Sequence, residues 1–182
     1  KKILEDYFDR NISLETELWR ARKLDLLEEI ERLYQRANFI YIRQKGPYGN
    51  GTPVLNASSI VGSEPFAFAY GDDLVKMNSP KSKTTFTKQL VETYEKTEAV
   101  VVGCQEVHET EVSQYGILKL KEKTNHMEVE QIVEKPLQKE APSRLAVFGR
   151  FILVPEICEI LRDLPLGKGG ELWLTDAIEQ HI

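Results

Sequence analysis

Gln44 opens the stretch Gln44-Lys45-Gly46-Pro47-Tyr48-Gly49-Asn50-Gly51, which combines a side-chain amide with three glycines. The glycines let backbone approach a ligand closely, and the amide offers a donor beside an acceptor. That pairing can read the edge of a nucleobase such as uracil, while by composition alone the glycines mark a mobile turn. Gly71-Asp72-Asp73 follows an apolar run. Carboxylates at a strand's C-terminal end can hold Mg²⁺ on phosphates through hard oxygen ligands, or form an Asp-rich turn. Glu134-Lys135-Pro136 closes another run, with Lys135 suited to a phosphate and Glu134 to hydroxyl groups. A strand-end ion pair is the plain alternative. In Gly169-Gly170-Glu171-Leu172-Trp173-Leu174-Thr175-Asp176, Glu171 could accept from a sugar hydroxyl, while Thr175 or Asp176 suits a helix cap. His108, His126 and His181 lack metal-like spacing and read as surface residues. No Ser-His-Asp or Cys-His arrangement offers a covalent nucleophile.

The elements that must position these residues follow from periodicity. Ile3, Leu4, Tyr7 and Phe8 have helical spacing. Ser13 can cap a second helix reaching about Gln35, with Leu26, Leu27, Ile30, Leu33 and Tyr34 as its apolar stripe. Glu28 and Arg32 form an i,i+4 pair on its solvated face. Residues 39–42 read as a strand, and Thr52, Pro53 and Gly62 bracket a helix as N-cap, N1 and C′. Residues 66–70 read as a strand covered on both faces, 86–94 as a helix and 100–107 as a buried strand. Strands at 115–120, 127–133 and 145–154 follow, then helices from Pro155 and from Thr175 or Asp176. Alternating strands and helices predict an α/β fold, a mixed and mostly parallel sheet flanked by helices.

The 182 residues are 41% apolar and 29% charged, as in an ordinary globular domain, and one domain is expected. A net charge of -5 argues against a nucleic-acid partner. No apolar run approaches the ~18 residues that span a bilayer. Cys104 and Cys158 sit in apolar surroundings, read as buried small hydrophobes, and suit a reducing cytoplasm. The chain opens with Lys1-Lys2 in a helical pattern and stops at Ile182 inside an amphipathic run. It is read as a piece of a longer protein.

Taken in order, the residues 44–51, 66–73, Tyr115-Gly116-Ile117 and Val133-Glu134-Lys135-Pro136 resemble the sugar-nucleotidyltransferase superfamily. Residues 141–150 and 169–178 narrow the resemblance to bacterial UDP-glucose pyrophosphorylases, across nearly the whole chain. The resemblance implies a Rossmann-like, nucleotide-diphospho-sugar transferase fold. It implies a Mg²⁺-dependent reaction of UTP with glucose 1-phosphate, giving UDP-glucose and pyrophosphate in a cytoplasmic homo-oligomer. Gln44 would then read uracil with Gly49 close to the base, and Asp72 would bind Mg²⁺ beside Asp73. Tyr115, Gly116, Val147 and Gly149 would line the glucose pocket, Glu134 and Glu171 would accept sugar hydroxyls, and Lys135 would neutralise the sugar phosphate. Asn50 stands where relatives more often carry Leu, and Thr52-Pro53 where many carry His-Ala.

The resemblance leaves two rivals: a thymidylyltransferase or other sugar-1-phosphate nucleotidyltransferase, and a non-catalytic nucleotide-sugar sensor. A glycosyltransferase fits less well, because Asp72-Asp73 lacks a spaced Asp-x-Asp pattern. The family's Gly-rich triphosphate loop would precede Lys1, and a second metal-binding Asp would follow Ile182. Residues 1–182 alone are therefore expected to show negligible turnover and to aggregate more readily than the whole protein. Normal UDP-glucose synthesis by the purified 182-residue chain would contradict this.

Overall fold

The computed structural model describes residues 2–76, 84–122 and 127–182, apart from the side chains of Lys2, Ile3, Leu4 and Leu33. His126 and the apolar contacts expected of Ile3, Leu4 and Leu33 lie outside that description. The chain divides into two compact units, Lys1–Arg43 and Gln44–Ile182.

The first unit holds α1 (Lys2–Phe8), α2 (Ile12–Arg20) and α3 (Leu24–Gln35). The single helix expected from Ser13 to Gln35 is thus two. Arg22 takes the left-handed conformation, φ 57°, through which a right-handed hydrogen-bond ladder cannot continue. Asn11 rather than Ser13 supplies the cap, its Oδ1 accepting from Leu14 N at 3.0 Å. Glu15 joins the helices by accepting from Arg10 at 2.6 Å and from the Tyr34 hydroxyl at 2.8 Å. The Arg10 hydrogen bond, seconded by Tyr34, holds the Glu15 carboxyl below its ordinary range. Arg32 and Glu28 pair at 2.6 Å on an exposed face, as their spacing predicts. Residues 39–42 do not join a sheet. The Phe39 ring instead stacks on Phe8, with centroids 4.5 Å apart.

The second unit is a sheet with helices on both faces. Its strands are β1 (Phe66–Ala69), β2 (Val101–Glu106), β3 (Gly116–Leu120), β4 (Val129–Glu134) and β5 (Leu145–Leu153). Its helices are α4 (Gly51–Val61), α5 (Phe86–Thr97), α6 (Pro155–Asp163) and α7 (Leu174–His181). Every described strand pairing is antiparallel, which corrects the mostly parallel sheet. The physical reason is insertion. β1 and β2 both run antiparallel to β5, so across the α5 crossover they share one direction, as a βαβ reading requires. β5, which arrives later in the chain, lies between them. Sequence order predicted the direction of the crossover but could not predict which strand would occupy the gap.

β5 organises the core. Phe151 and Leu153 face the cluster made with Val54, Ile157, Leu161, Leu174 and Ile178. Ile152, pointing oppositely, packs with Leu90 and Val101 beneath α5. This double burial explains why β5 reads as a nearly continuous apolar run. β1 differs from its expectation. Phe66 and Phe68 are half-buried, whereas Ala67 and Ala69 are exposed, so only one face is covered.

Opposite Gly103 the register between β2 and β5 shifts from Val102↔Phe151 to Cys104↔Val147. Phe148, Gly149 and Arg150 therefore stand against a single residue, and β5 bulges there. Cys104 is half-buried and Cys158 buried, both as free thiols, and burial raises both pKa values. Phe151 is fully buried and its ring lies 5.9 Å from Phe68 and 6.1 Å from Tyr70. Phe151→Ala is expected to lower unfolding free energy by about 3–5 kcal/mol. Equilibrium urea unfolding checks this, and a loss below about 1 kcal/mol would contradict the central place given to β5.

Candidate functional site

The acidic turn forms where β1 runs out. Tyr70 follows the strand, and its backbone N–H donates to Gly149 O at 2.8 Å, extending the pairing with β5 by one step. Gly71, Asp72 and Asp73 then leave the sheet. Asp73 turns back, and its Oδ2 accepts from Gly149 N at 3.0 Å. Gly149 lies within the bulge of β5, and both its carbonyl and its N–H are bonded on the β1 side, to Tyr70 and to Asp73. A Cβ on Gly149 would lie 2.0 Å from the Tyr70 ring and 2.1 Å from the Asp73 carboxylate, so any side chain there must displace one or both. Arg150 flanks the turn, donating to Thr87 Oγ1 at 3.1 Å. Asp72 itself is exposed.

Two strands away, Gly116 pairs with Glu134 across β3 and β4. A Cβ on Gly116 would lie 3.1 Å from Glu134 Oε2 and 3.6 Å from Val147 Cγ2, so those three residues meet. Val147 and Gly149 lie two residues apart in β5, Val147 beside Gly116 and Gly149 bonded to the acidic turn. Lys135 N donates to Tyr115 O at 3.0 Å, closing the ladder, and Lys135 takes a left-handed backbone, φ 46°. Such a conformation is uncommon for lysine and collects at functional positions. Lys135 Nζ stands 3.9 Å from Glu134 Oε1, with both side chains at least half exposed. The pair is loose, leaving both groups open to a ligand.

The Gly-rich loop is pinned from two sides. Leu172 N donates to Tyr48 O at 2.7 Å, and Gly51 N donates to Leu172 O at 2.9 Å. A Cβ on Gly49 would lie 2.2 Å from Leu172 O, and its φ is 117°, so glycine is required there by this close approach. Glu171, half-buried, precedes that contact. Thr52 does not act as the expected N-cap. It is buried, and its hydroxyl donates to Pro47 O at 2.8 Å, while Asn50 occupies the N-cap position of α4 without a side-chain capping bond there. Nor does Thr175 or Asp176 cap α7. Asn50 Oδ1 accepts from Leu174 N at 2.8 Å, a cap supplied from 124 residues away. Gly62 ends α4 with φ 63°, as predicted.

Asp72, Asp73 and Glu134 converge electrostatically on Tyr70. Burial pushes the Tyr70 phenol up to about 12; the Asn50 hydrogen bond opposes this, and the three carboxylates add to the rise. Asn50 Nδ2 donates to Tyr70 Oη at 2.7 Å. Gln44 stands apart at the loop's start, exposed, where Asn56 holds both Lys45 N (2.7 Å) and Lys45 O (3.0 Å). Tyr70, Asn50 and Asn56 were not singled out as site residues from sequence. Tyr70 had a readable signal, a polar-tipped aromatic between an apolar strand and an acidic turn. The asparagines had none, since their partners are distant or depend on a helix geometry.

His108 is exposed and caps the short 3₁₀ turn Glu109–Gln114 through its ring Nδ1. His181 is exposed. Among the described residues no three His, Cys, Asp or Glu side chains gather as a metal cluster. Asp72 and Asp73 are neighbours in this turn, Asp72 exposed and Asp73 bonded through one oxygen to Gly149. That suits an ion which keeps waters and takes its remaining ligands from a substrate's phosphates, the habit of Mg²⁺.

The family model for nucleotidyl transferases matches residues 16–182. The chain belongs to the nucleotidyl transferase family. Within this family it is 42% identical over 181 residues to the UTP–glucose-1-phosphate uridylyltransferase 2 of Staphylococcus saprophyticus, covering 99% of this chain and 61% of the relative. The UTP–glucose-1-phosphate uridylyltransferase of Staphylococcus haemolyticus is 44% identical, with the same coverage. Among solved structures, a UTP-bound UGPase from Acinetobacter baumannii superposes with a TM-score of 0.86 at 37% identity, covering 100% of this chain and 62% of that one. A UDP-glucose pyrophosphorylase complexed with UDP-glucose gives 0.81 at 36% identity, covering 100% and 65%. The chain thus spans about three fifths of the length of the curated relatives it matches. A nucleotidyltransferase-like α/β fold, with helices on both faces of its sheet, is the architecture they share. Among the described residues no helix is long and apolar enough to cross a membrane.

The raised Tyr70 pKa has a definite sign. Its folded value, about 12, exceeds the ordinary 10.0, so the phenol contributes stability that is whole below pH 10 and fades as pH climbs through 12. Urea unfolding at stepped alkaline pH is expected to show a shallower loss over that window in Tyr70→Phe than in the parent. Parallel curves would disprove the burial of this hydroxyl.

Proposed function

We propose that this chain is the central part of a UTP–glucose-1-phosphate uridylyltransferase, joining UTP and glucose 1-phosphate into UDP-glucose with release of pyrophosphate. The observation that carries the proposal is the arrangement along the sheet of the Asp73 turn bonded to Gly149 and of Glu134 and Val147 meeting at Gly116. The names of its closely matching relatives, and the UTP and UDP-glucose bound to two of its structural neighbours, supply the substrate class.

In this proposal an oxygen of the sugar phosphate attacks the α-phosphorus of UTP. The new phosphorus–oxygen bond forms as the bond to the β-phosphate oxygen breaks, in line. Such chemistry asks the protein for positioning and charge balance rather than for a nucleophile. Gln44 would read the uracil edge with Gly49 nearby. Tyr115, Gly116, Val147 and Gly149 would shape the glucose pocket, where small or backbone surfaces leave room for a pyranose. Glu134, exposed above Gly116, would accept sugar hydroxyls, with Glu171 as a further acceptor. Lys135, held by its strained backbone and only loosely paired, would meet the sugar phosphate. Asp72 would hold the divalent cation, with Asp73 beside it or near the ribose. Bound there, Mg²⁺ would withdraw charge from the phosphoryl oxygens. A cytoplasmic location and a homo-oligomeric state belong to the same proposal and are supported by the family resemblance alone.

The test is pyrophosphate release by the whole gene product, with UTP, dTTP, ATP or GTP supplied against glucose 1-phosphate. UTP is expected to be the preferred nucleotide. Preference for dTTP would favour a thymidylyltransferase, and UDP-glucose binding without pyrophosphate release would favour a sensor. Asp72→Asn is expected to cut kcat by on the order of 10²–10³. Gln44→Ala should mainly blunt nucleotide choice. Undiminished turnover in the first variant, or undiminished preference in the second, would remove the corresponding role.

A further inference from the structure

Asn50 uses both ends of its side-chain amide. Oδ1 accepts the first N–H of α7 at 2.8 Å, and Nδ2 donates to the Tyr70 hydroxyl at 2.7 Å. Both are short, well-formed hydrogen bonds. Asn50 is part of the Gly-rich loop, while Tyr70 is the residue from which the Gly71-Asp72-Asp73 turn departs. Among the hydrogen bonds of the described residues, this is the one that joins loop 44–51 to the end of β1. The other ties of the loop run to Thr52 and Asn56 of α4, to Leu172 and to Leu174, and so fix it to different elements.

Tyr70 cannot yield easily to a shift of its partner. Its ring meets Phe68 edge-on at 5.3 Å and Phe151 at 6.1 Å. It also lies against Gly149, where not even a methyl group would fit. Its backbone is bonded to Gly149 O. The hydroxyl is therefore a fixed post, and the amide of Asn50 grips it.

We infer that Asn50 and Tyr70 form a clasp setting the distance between the base-reading loop and the acidic turn, which makes Asn50 a positioning residue for the nucleotide. The inference rests on the uridylyltransferase proposal, because only a ligand spanning base to phosphates senses that distance. A nucleoside triphosphate bound at both ends loses affinity when the spacing is no longer held, whereas a sugar phosphate bound at the acidic end does not.

Two variants separate the clasp from simple helix capping. Tyr70→Phe breaks the clasp and leaves Asn50 free to cap α7, while Asn50→Ala removes both bonds. In the whole protein, UTP binding is measured by titration calorimetry and kcat and KM by pyrophosphate release, with folding followed by circular dichroism. Tyr70→Phe is expected to raise the Kd and KM for UTP about fivefold to tenfold, the worth of one hydrogen bond. The KM for glucose 1-phosphate should move less than twofold. The double variant should bind UTP no worse than Asn50→Ala alone, since the two residues act through one contact. Parental UTP affinity in folded Tyr70→Phe, or effects of the two changes that simply add, would overturn the clasp. Should Asn50→Ala fail to fold, Tyr70→Phe decides alone. A parent protein that does not bind UTP would instead refute the uridylyltransferase proposal itself.

Discussion

The Tyr70 ring and the Asp73 carboxylate both occupy space that any side chain at position 149 would need. That shared vacancy exists because β5 bulges opposite Gly103, placing three residues where its neighbour has one. Gly149 sits within that bulge, and Asp73 accepts its N–H. An acidic turn is thereby held against the centre of the sheet by a charge-assisted hydrogen bond rather than by its own flexible backbone. Remove the bulge and the turn loses its anchor, Tyr70 loses its seat, and the loop loses the post to which Asn50 is tied. The arrangement of the candidate site is a consequence of one irregularity in one strand.

Buried and exposed residues divide the labour around that irregularity. The residues that position are enclosed: Gly116, Gly149 and Phe151 are buried, and Tyr70 is half-buried with a neutral phenol. The residues proposed to meet ligand are open: Gln44, Asp72, Glu134 and Lys135 are all exposed. A charged group held in water carries little desolvation cost, so these side chains can sit beside a stiff scaffold without weakening it. The apolar core then sets geometry, and solvated groups at its rim supply chemistry.

Much of this was legible in the sequence because it depends on local pattern. The five strands of the second unit, the Pro155 helix, the Gly62 terminus and the acidic turn after an apolar run all follow from neighbouring residues. What was missed depends on distance. A run such as Leu145-Ala146-Val147 announces burial on both faces but cannot name its neighbours, so β5 was not foreseen between β1 and β2. Thr52 looked like a cap because its type and its place before Pro53 suit one, yet its hydroxyl turns to Pro47 O. The true cap of α7 is Asn50, and no window of sequence joins residues 50 and 174. The strand expected at residues 39–42 had the right composition and no partner. β-propensity describes a fit to a sheet that must be offered by other residues.

The charge balance of the site bears on what it can accept. Asp72, Asp73 and Glu134 all raise the Tyr70 pKa, so three carboxylates share one neighbourhood, with Lys135 the cation paired to one of them. A nucleoside triphosphate approaching these carboxylates, with Lys135 and Arg150 as the neighbouring cations, would meet like charge that solvent screens, since Asp72 and Glu134 are exposed. A sugar with hydroxyl groups meets no such barrier, because carboxylates are natural acceptors for them. Under the proposed function the same acidic surface would accept the sugar directly and the phosphates more readily in company with a cation. In the proposed reaction a divalent ion on Asp72 would reconcile the two, turning the acidic turn from an obstacle to polyphosphate into its point of attachment.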